Sequence, residues 1–144
     1  MTINLLQTPE YIAQINEHIF QTISYLFQKN QEFAIVCEIK NVDFQPELPT
    51  EIKEEMLNKE TALFMISNYT LQSATVNEST FTFEAGFGAQ NYGSLLTIPL
   101  LGIKYIYLGE TLILVNASTY EKKTTRSMKD ILNSPKNKKL VKKK

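Results

Sequence analysis

The sequence predicts a mainly β, α+β fold: one long amphipathic helix at the N-terminus, then a small, strongly curved sheet or barrel, then a disordered tail. Three observations support this. Apolar residues near the N-terminus recur at helical spacing, several short β-rich runs separated by turn residues follow, and apolar residues thin out after Ala117. With 144 residues and 43% hydrophobic content, the chain is one domain's worth and can bury a core.

The N-terminal helix has a recognisable start, face and end. Thr8-Pro9-Glu10 supplies an N-cap, a proline at the first helical position and an acid in the first turn. Asn30 is available for a left-handed cap at the other end. One face is formed by residues three and four apart: Ile12, Ile15, Ile19, Ile23 and Phe27. Further apolar residues widen this face, which predicts either a deeper core or a surface for a second copy: Tyr11, Phe20 and Leu26.

Short runs of β-forming residues then follow one another at regular intervals. Residues 81–87 alternate cleanly, which places Phe81, Phe83, Ala85 and Phe87 on one face. Residues 41–49 indicate a loop around a short edge strand, and residues 50–59 indicate one or two helical turns or a loop. The predicted strands are 33–39, 62–67, 71–76, 81–87, 95–98, 103–108 and 111–115, the last two forming a hairpin across Gly109-Glu110.

The net charge of zero conceals a division of the chain by charge. Residues 1–116 carry five lysines against thirteen acids, a net of −8. Residues 117–144 carry ten Lys and Arg against two acids, a net of +8. Such a split indicates a tail with a role of its own.

The reactive side chains do not form a pattern typical of catalysis. The single histidine, His18, lies on the predicted helix, and the single cysteine, Cys37, lies in an apolar run that favours a buried, inert thiol. Glu51, Glu54 and Glu55 are explained by a solvated face, and Gly86-Phe87-Gly88 lacks the phosphate-loop patterns. We therefore expect no enzyme activity, no cofactor and no metal site.

The sequence also indicates a cytoplasmic location. The N-terminus lacks the basic-then-apolar layout of a signal peptide, and no apolar run approaches the roughly 20 residues that span a bilayer. With one cysteine, no intramolecular disulfide can form, which fits a reducing compartment.

Several short motifs, in this order and spacing, resemble the SspB family, the adaptors that deliver ssrA-tagged proteins to the ClpXP protease. They lie at residues 63–67 (LFMIS), 83–88 (FEAGFG), 97–100 (TIPL) and 105–107 (YIY), and the end of the first helix leading into 33–39 also fits. Two groove positions depart from the family: Glu84 replaces an asparagine and Gly86 an arginine. The long acidic linker of the family is replaced by a short basic tail.

The resemblance implies an Sm-like β-barrel domain over residues 1–116 that forms a homodimer partly through its first helix, here Ile12, Ile19 and Ile23. It implies that ssrA-tagged or other degron-bearing proteins bind in a groove formed by Ile66, Ser67, Asn68, Thr70, Phe83, Glu84, Ala85, Gly86 and Phe87. Residues 117–137 would be a flexible linker, and 138–144 a peptide that docks on the N-terminal domain of ClpX through Lys139, Leu140, Val141 and Lys142.

Alternatives remain open from the residues alone. The tail is also explained as a nonspecific polybasic segment, although that reading requires neither Leu140 nor Val141. An Sm-like module that binds RNA through the basic tail is the second functional hypothesis, against which stands the charge of −8 on residues 1–116. A purely structural or dimerisation protein is the third, supported only by the wide helical face.

Overall fold

The computed structural model describes residues 4–120. Three helices, α1 (Pro9–Gln28), α2 (Thr50–Leu57) and α3 (Asn68–Ser73), accompany eight strands. The strands are β1 (Phe33–Glu38), β2 (Asp43–Gln45), β3 (Thr61–Ile66), β4 (Thr75–Val76), β5 (Thr80–Phe87), β6 (Tyr92–Pro99), β7 (Ile103–Leu108) and β8 (Thr111–Val115). No helix in residues 4–120 is both long and apolar enough to cross a membrane.

The long N-terminal helix is confirmed, together with the capping that the sequence predicts. The Thr8 side chain accepts a hydrogen bond from the Tyr11 N–H at 3.2 Å, and Pro9 occupies the first turn, where its missing N–H costs nothing. At the other end Asn30 adopts a left-handed φ of 52°, and the Gln31 N–H bonds back to the Leu26 carbonyl at 2.9 Å.

The strands form two antiparallel four-stranded sheets. Sheet A has the order β3-β1-β7-β8, and sheet B has the order β2-β6-β5-β4. Gly109, at φ 59°, turns β7 into β8 at the predicted hairpin. The α+β class with one long helix is thus confirmed. The two sheets are separate among the described residues, so the closed barrel is not confirmed.

The core lies between α1 and the inner faces of both sheets. Phe27, Phe33 and Phe81 form a ring cluster with centroids 6.1–6.3 Å apart, which joins the helix to each sheet. Ile19 and Ile23 are fully buried in the same core. Burying a side chain of this size stabilises the fold by about 1.5–3 kcal/mol. The apolar face of α1 therefore serves mainly the interior of its own chain.

One predicted strand is wrong. Residues 71–76 form the last turn of α3 followed by the two-residue β4, because the chain turns sharply at Asn68, which has a left-handed φ of 51°. Leu71, Ala74 and Val76 all pack against the core: the three-residue step from Leu71 to Ala74 suits a helical turn, and the two-residue step from Ala74 to Val76 suits a strand. Tertiary packing decides between the two patterns.

Other boundaries differ in smaller ways. Residues 50–59, for which the sequence predicts either helical turns or a loop, contain the two-turn helix α2. The loop before α2 contains β2 and a cis peptide bond before Pro46. β6 begins at Tyr92, three residues before the predicted start, because Tyr92 and Gly93 pair with the end of β5.

The folded body extends beyond the predicted boundary at residue 116. Asn116 and Ser118 are buried, and the Asn116 amide donates to the carbonyls of Leu101 and Ile103 at 2.9 and 3.0 Å. The Thr119 N–H donates to the Gln7 side chain at 2.6 Å. The first residues of the predicted linker are thus fixed to the body. The rest of the linker and the docking peptide lie outside the described residues.

Candidate functional site

β5 has an edge with no strand beside its second half. β6 pairs with β5 along its whole length, whereas β4 pairs with it only at Phe81 and Thr82. From Phe83 to Phe87, the side of β5 away from β6 therefore has no strand neighbour among the described residues. Free strand edges present main-chain donors and acceptors to an incoming chain.

The direction of the main-chain groups on this edge follows from one hydrogen bond. The Glu84 N–H donates to the Ser73 hydroxyl at 2.9 Å, so it points away from β6 and toward α3. Because main-chain groups alternate along an antiparallel strand, the N–H and C=O of Gly86 point to the same open side. Ser73 in turn donates to the Thr70 carbonyl within α3 at 2.9 Å, so its hydroxyl connects the end of α3 to β5.

A groove of about 850 Å³ lies on one side of this edge; we call it the outer groove. The end of β5, the start of β6 and the first turn of α3 form its walls. Most of its lining residues carry polar side chains, with Tyr69 and Leu95 as the largest contributors of apolar surface. The lining comprises Gln45, Ser67, Asn68, Tyr69, Thr70, Glu84, Ala85, Gly86, Asn91, Gly93, Ser94 and Leu95.

A second groove of about 640 Å³, the inner groove, lies on the other side of the same edge. It runs between β3 and β5 and is bounded by α2. Apolar side chains dominate its lining, which comprises Ile39, Ile52, Glu55, Met56, Lys59, Thr61, Ala62, Leu63, Phe64, Met65, Thr70, Phe83, Ala85, Gly86, Phe87 and Gly88. The two grooves meet at Thr70, Ala85 and Gly86.

Glu84 is the only charged side chain that lines the outer groove. The Tyr69 hydroxyl donates to its Oε1 atom at 2.6 Å, a charge-assisted hydrogen bond that fixes the carboxylate at the groove wall. This bond, together with the nearby negative charge, raises the pKa of Tyr69 above its usual value of 10.0. The phenol therefore remains a hydrogen-bond donor throughout the physiological pH range.

The floor of the outer groove depends on a glycine. A Cβ atom at Gly86 would lie 1.8 Å from Oδ1 and 2.6 Å from Cγ of Asn91, so the Asn91 side chain occupies the space that any larger residue needs. Asn91 itself ends the β5–β6 turn at a left-handed φ of 55°, and its N–H bonds to the Gly88 carbonyl at 3.0 Å. The Asn91 amide thus covers the β5 backbone at Gly86.

We expect Gly86→Ala to lower the free energy of unfolding by about 1 kcal/mol, since the exposed Asn91 side chain must swing away. Gly93→Ala adds the same methyl group on the neighbouring strand, where nothing lies within 4 Å, and should change stability by less than about 0.5 kcal/mol. The double variant Gly86→Ala/Asn91→Gly should recover the loss, because glycine also suits the left-handed φ. Urea denaturation measures all three; equal effects of the two alanines would show that Asn91 does not obstruct position 86.

The structure brings together eight of the nine predicted groove residues. Ser67, Asn68, Thr70, Glu84, Ala85 and Gly86 line the outer groove, and Phe83 and Phe87 line the inner groove. Ile66 is fully buried in the core and lines neither. The sequence prediction does not include Tyr69 or Asn91. It also does not include the α2 residues Ile52 and Met56, because the sequence does not decide whether residues 50–59 form helical turns or a loop.

The predicted dimer residues lie in different environments. Ile19 and Ile23 have no exposed surface, because the core of their own chain surrounds them. Ile12 is half-buried and keeps some surface on α1. Whether the chain forms a homodimer stays a prediction.

The candidate reactive residues are placed as follows. Cys37 is fully buried in β1, and burial, with a smaller effect from Glu38, raises the pKa of its thiol to about 12. His18 is exposed on α1. No group of three or more metal-binding side chains occurs in residues 4–120.

Neither a known family model nor a curated protein matches this chain. The family resemblance of the short motifs therefore stays a prediction.

Proposed function

We propose that the protein is a proteolysis adaptor of the SspB type, which binds degron-bearing polypeptides at the β5 edge and tethers them to the ClpX unfoldase. One observation carries this proposal. Eight of the nine residues that the resemblance assigns to a peptide groove line two grooves that flank a single free strand edge. Residues 67–70, at the start of α3, and residues 83–87 of β5 are thereby gathered at one place.

An extended peptide would bind by adding a strand to β5. The outward N–H and C=O of Gly86 would supply main-chain hydrogen bonds, and the two grooves would accept side chains alternately. The Sm-like barrel belongs to the same proposal. Its support is the close approach of the two sheets, where the Phe64 ring of β3 lies 5.7 and 6.3 Å from the rings of Phe83 and Phe87.

Delivery would depend on the tail. Residues 138–144 contain one apolar pair, Leu140-Val141, between lysines, which suits a small apolar groove with acidic rims on the ClpX N-terminal domain. Because residues 117–119 are held to the body, the spacer is shorter than the sequence alone suggests. A random coil over 121–137 would span roughly 20–25 Å, short enough for a local degron concentration on the order of millimolar.

We expect the full chain to bind the isolated ClpX N-terminal domain, and the double variant Leu140→Ser/Val141→Ser to bind at least tenfold more weakly. This variant keeps every positive charge, so it separates apolar docking from nonspecific attraction by the tail. Met128→Ser/Leu132→Ser is the matched control, because it removes an apolar pair elsewhere in the tail. Calorimetry measures the affinities; equal binding by all three chains would reject residues 140 and 141 as the docking pair.

RNA binding through the basic tail is the competing function, and neither the charge of −8 on residues 1–116 nor the chemistry of the two grooves favours it. Lys59 is the only Lys or Arg among the residues that line the two grooves, and a phosphate backbone requires several such contacts. Binding of the full chain to single-stranded RNA at two salt concentrations distinguishes the two proposals. Steeply salt-dependent RNA binding without ClpX binding would overturn the adaptor proposal.

Restoring the family residues in the groove should change its affinity for an ssrA-like peptide. The double variant Glu84→Asn/Gly86→Arg removes the groove carboxylate, adds a cation and forces Asn91 aside. We expect a change in affinity of severalfold or more in fluorescence anisotropy. Unchanged affinity would remove both positions from the peptide site.

A further inference from the structure

We infer that the polypeptide segment recognised at this edge alternates apolar and basic side chains, with a lysine or arginine that reaches the Glu84 carboxylate in the outer groove. This inference rests on the proposed function, because it assumes that a peptide adds as a strand to β5. It specifies the chemical class of that peptide, which the proposed function leaves open.

The alternation follows from strand geometry. Successive side chains of a strand point to opposite faces of the sheet, so those of an added strand would enter the outer and inner grooves in turn. Glu84 lines only the outer groove, and Phe83 and Phe87 line only the inner groove. The two faces of the added strand would continue the two faces of β5. Side chains on one face of the added strand would therefore meet the outer groove, and those on the other face would meet the inner groove.

The inner groove selects apolar side chains. Phe83 is fully buried at its base, and Met56, Phe64 and Phe87 pack against the core around it. Its two charged lining residues, Glu55 and Lys59, have opposite signs and lie four residues apart at the α2 side, so they leave no net charge. An aliphatic or aromatic side chain from the peptide gains most from this site because it loses contact with water.

The outer groove selects a positive charge or hydrogen-bond donors. Its single charged group is the Glu84 carboxylate, and Tyr69 engages Oε1 of that group. The remaining polar lining consists of hydroxyl and amide groups, and among residues 4–120 no lysine or arginine lines the groove beside the carboxylate. An acidic side chain there, or the terminal carboxylate of a peptide, would face like charge. The groove thus favours internal basic segments over acidic chain ends.

Three labelled nine-residue peptides test this inference with the full chain. They carry valine at alternate positions and serine between, and the central serine position holds Lys, Gln or Glu. We expect the Lys peptide to bind at least tenfold more tightly than the Glu peptide in fluorescence anisotropy. Glu84→Gln should reduce this ratio to below about twofold. The Gln peptide should bind both proteins alike, because the substituted side chain at position 84 can still accept a hydrogen bond from Tyr69.

Glu110→Gln is the matched control. It removes one negative charge at the exposed β7–β8 turn, outside both grooves, and should leave the ratio unchanged. Hydrogen exchange adds a structural readout: the bound Lys peptide should slow exchange of the Gly86 N–H, which faces the open edge.

The outcomes separate this inference from the proposed function. Equal binding of the Lys and Glu peptides, or a ratio that falls as much in Glu110→Gln as in Glu84→Gln, would overturn the charge preference and leave peptide binding intact. Binding of an ssrA-like peptide but of none of the three test peptides would overturn the alternation. Binding of no peptide at all would reject the proposed function itself.

Discussion

Replacing Phe81 by alanine should lower the free energy of unfolding by about 3–5 kcal/mol. The Phe81 side chain has no exposed surface, and its ring lies 6.1 Å from Phe27, 6.2 Å from Phe33 and 5.2 Å from Phe83. It therefore joins α1, sheet A and sheet B at one point. The truncation would leave a cavity that none of these three elements can close without moving the others.

Urea denaturation followed by circular dichroism measures the loss. Tyr25→Ala is the control, since Tyr25 is 56% exposed on the outer side of α1 and should cost less than about 0.5 kcal/mol. If Phe81→Ala does not fold, Phe81→Leu keeps most of the volume and should cost about 1–2 kcal/mol. A loss for Phe81→Leu no larger than for Tyr25→Ala would show that Phe81 does not hold the three elements together.

Raising the pH from 8 to 10.5 should destabilise the protein by about 2 kcal/mol through Cys37 alone, and by about 4 kcal/mol near pH 12. Burial raises the pKa of this thiol from 9.0 to about 12, so the unfolded chain releases the proton first. The stabilising contribution is complete below pH 9 and is lost as pH rises from 9 through 12. Above that range it no longer changes, because both states are ionised.

Urea denaturation at pH 8 and pH 10.5 checks this, with Cys37→Ala as the reference. The variant lacks the thiol but keeps every tyrosine and lysine, so the difference between the two pH profiles isolates Cys37. Identical slopes for both chains between pH 9 and 10.5 would contradict a protonated, buried thiol. The raised pKa of Tyr69 acts in the same direction at still higher pH and cancels in this comparison.

Most of the fold is predictable because its elements carry strong local patterns. α1 has a capped start and a continuous apolar face, and β5 alternates over its whole length. α3 is too short for such a pattern, since Leu71 is the one apolar side chain of its six residues that packs against the core. The joining of strands into two sheets is also beyond local reasoning, because pairing joins segments that are distant in sequence.

The candidate site is predictable only in part, and for a similar reason. Its β3 and β5 residues come from the motif resemblance, whereas Asn91 enters the outer groove through a left-handed turn that brings its amide over Gly86. Tyr69 was missed because its role requires a helix at α3, which places its hydroxyl 2.6 Å from Glu84. Both residues are positioned by backbone geometry that is specific to this chain.

Residues near the two ends of the described chain contact each other, which affects how the chain folds while it is being synthesised. The Ala117 N–H donates to the Tyr11 hydroxyl oxygen at 3.2 Å, and the Thr119 N–H donates to the Gln7 side chain. Both contacts join residues more than 100 positions apart. At 5–20 residues per second, α1 leaves the ribosome roughly 5–20 seconds before these partners exist. During that interval the two sheets that its apolar face covers are incomplete. The nascent helix is therefore a segment that needs protection from aggregation until the last strands are made.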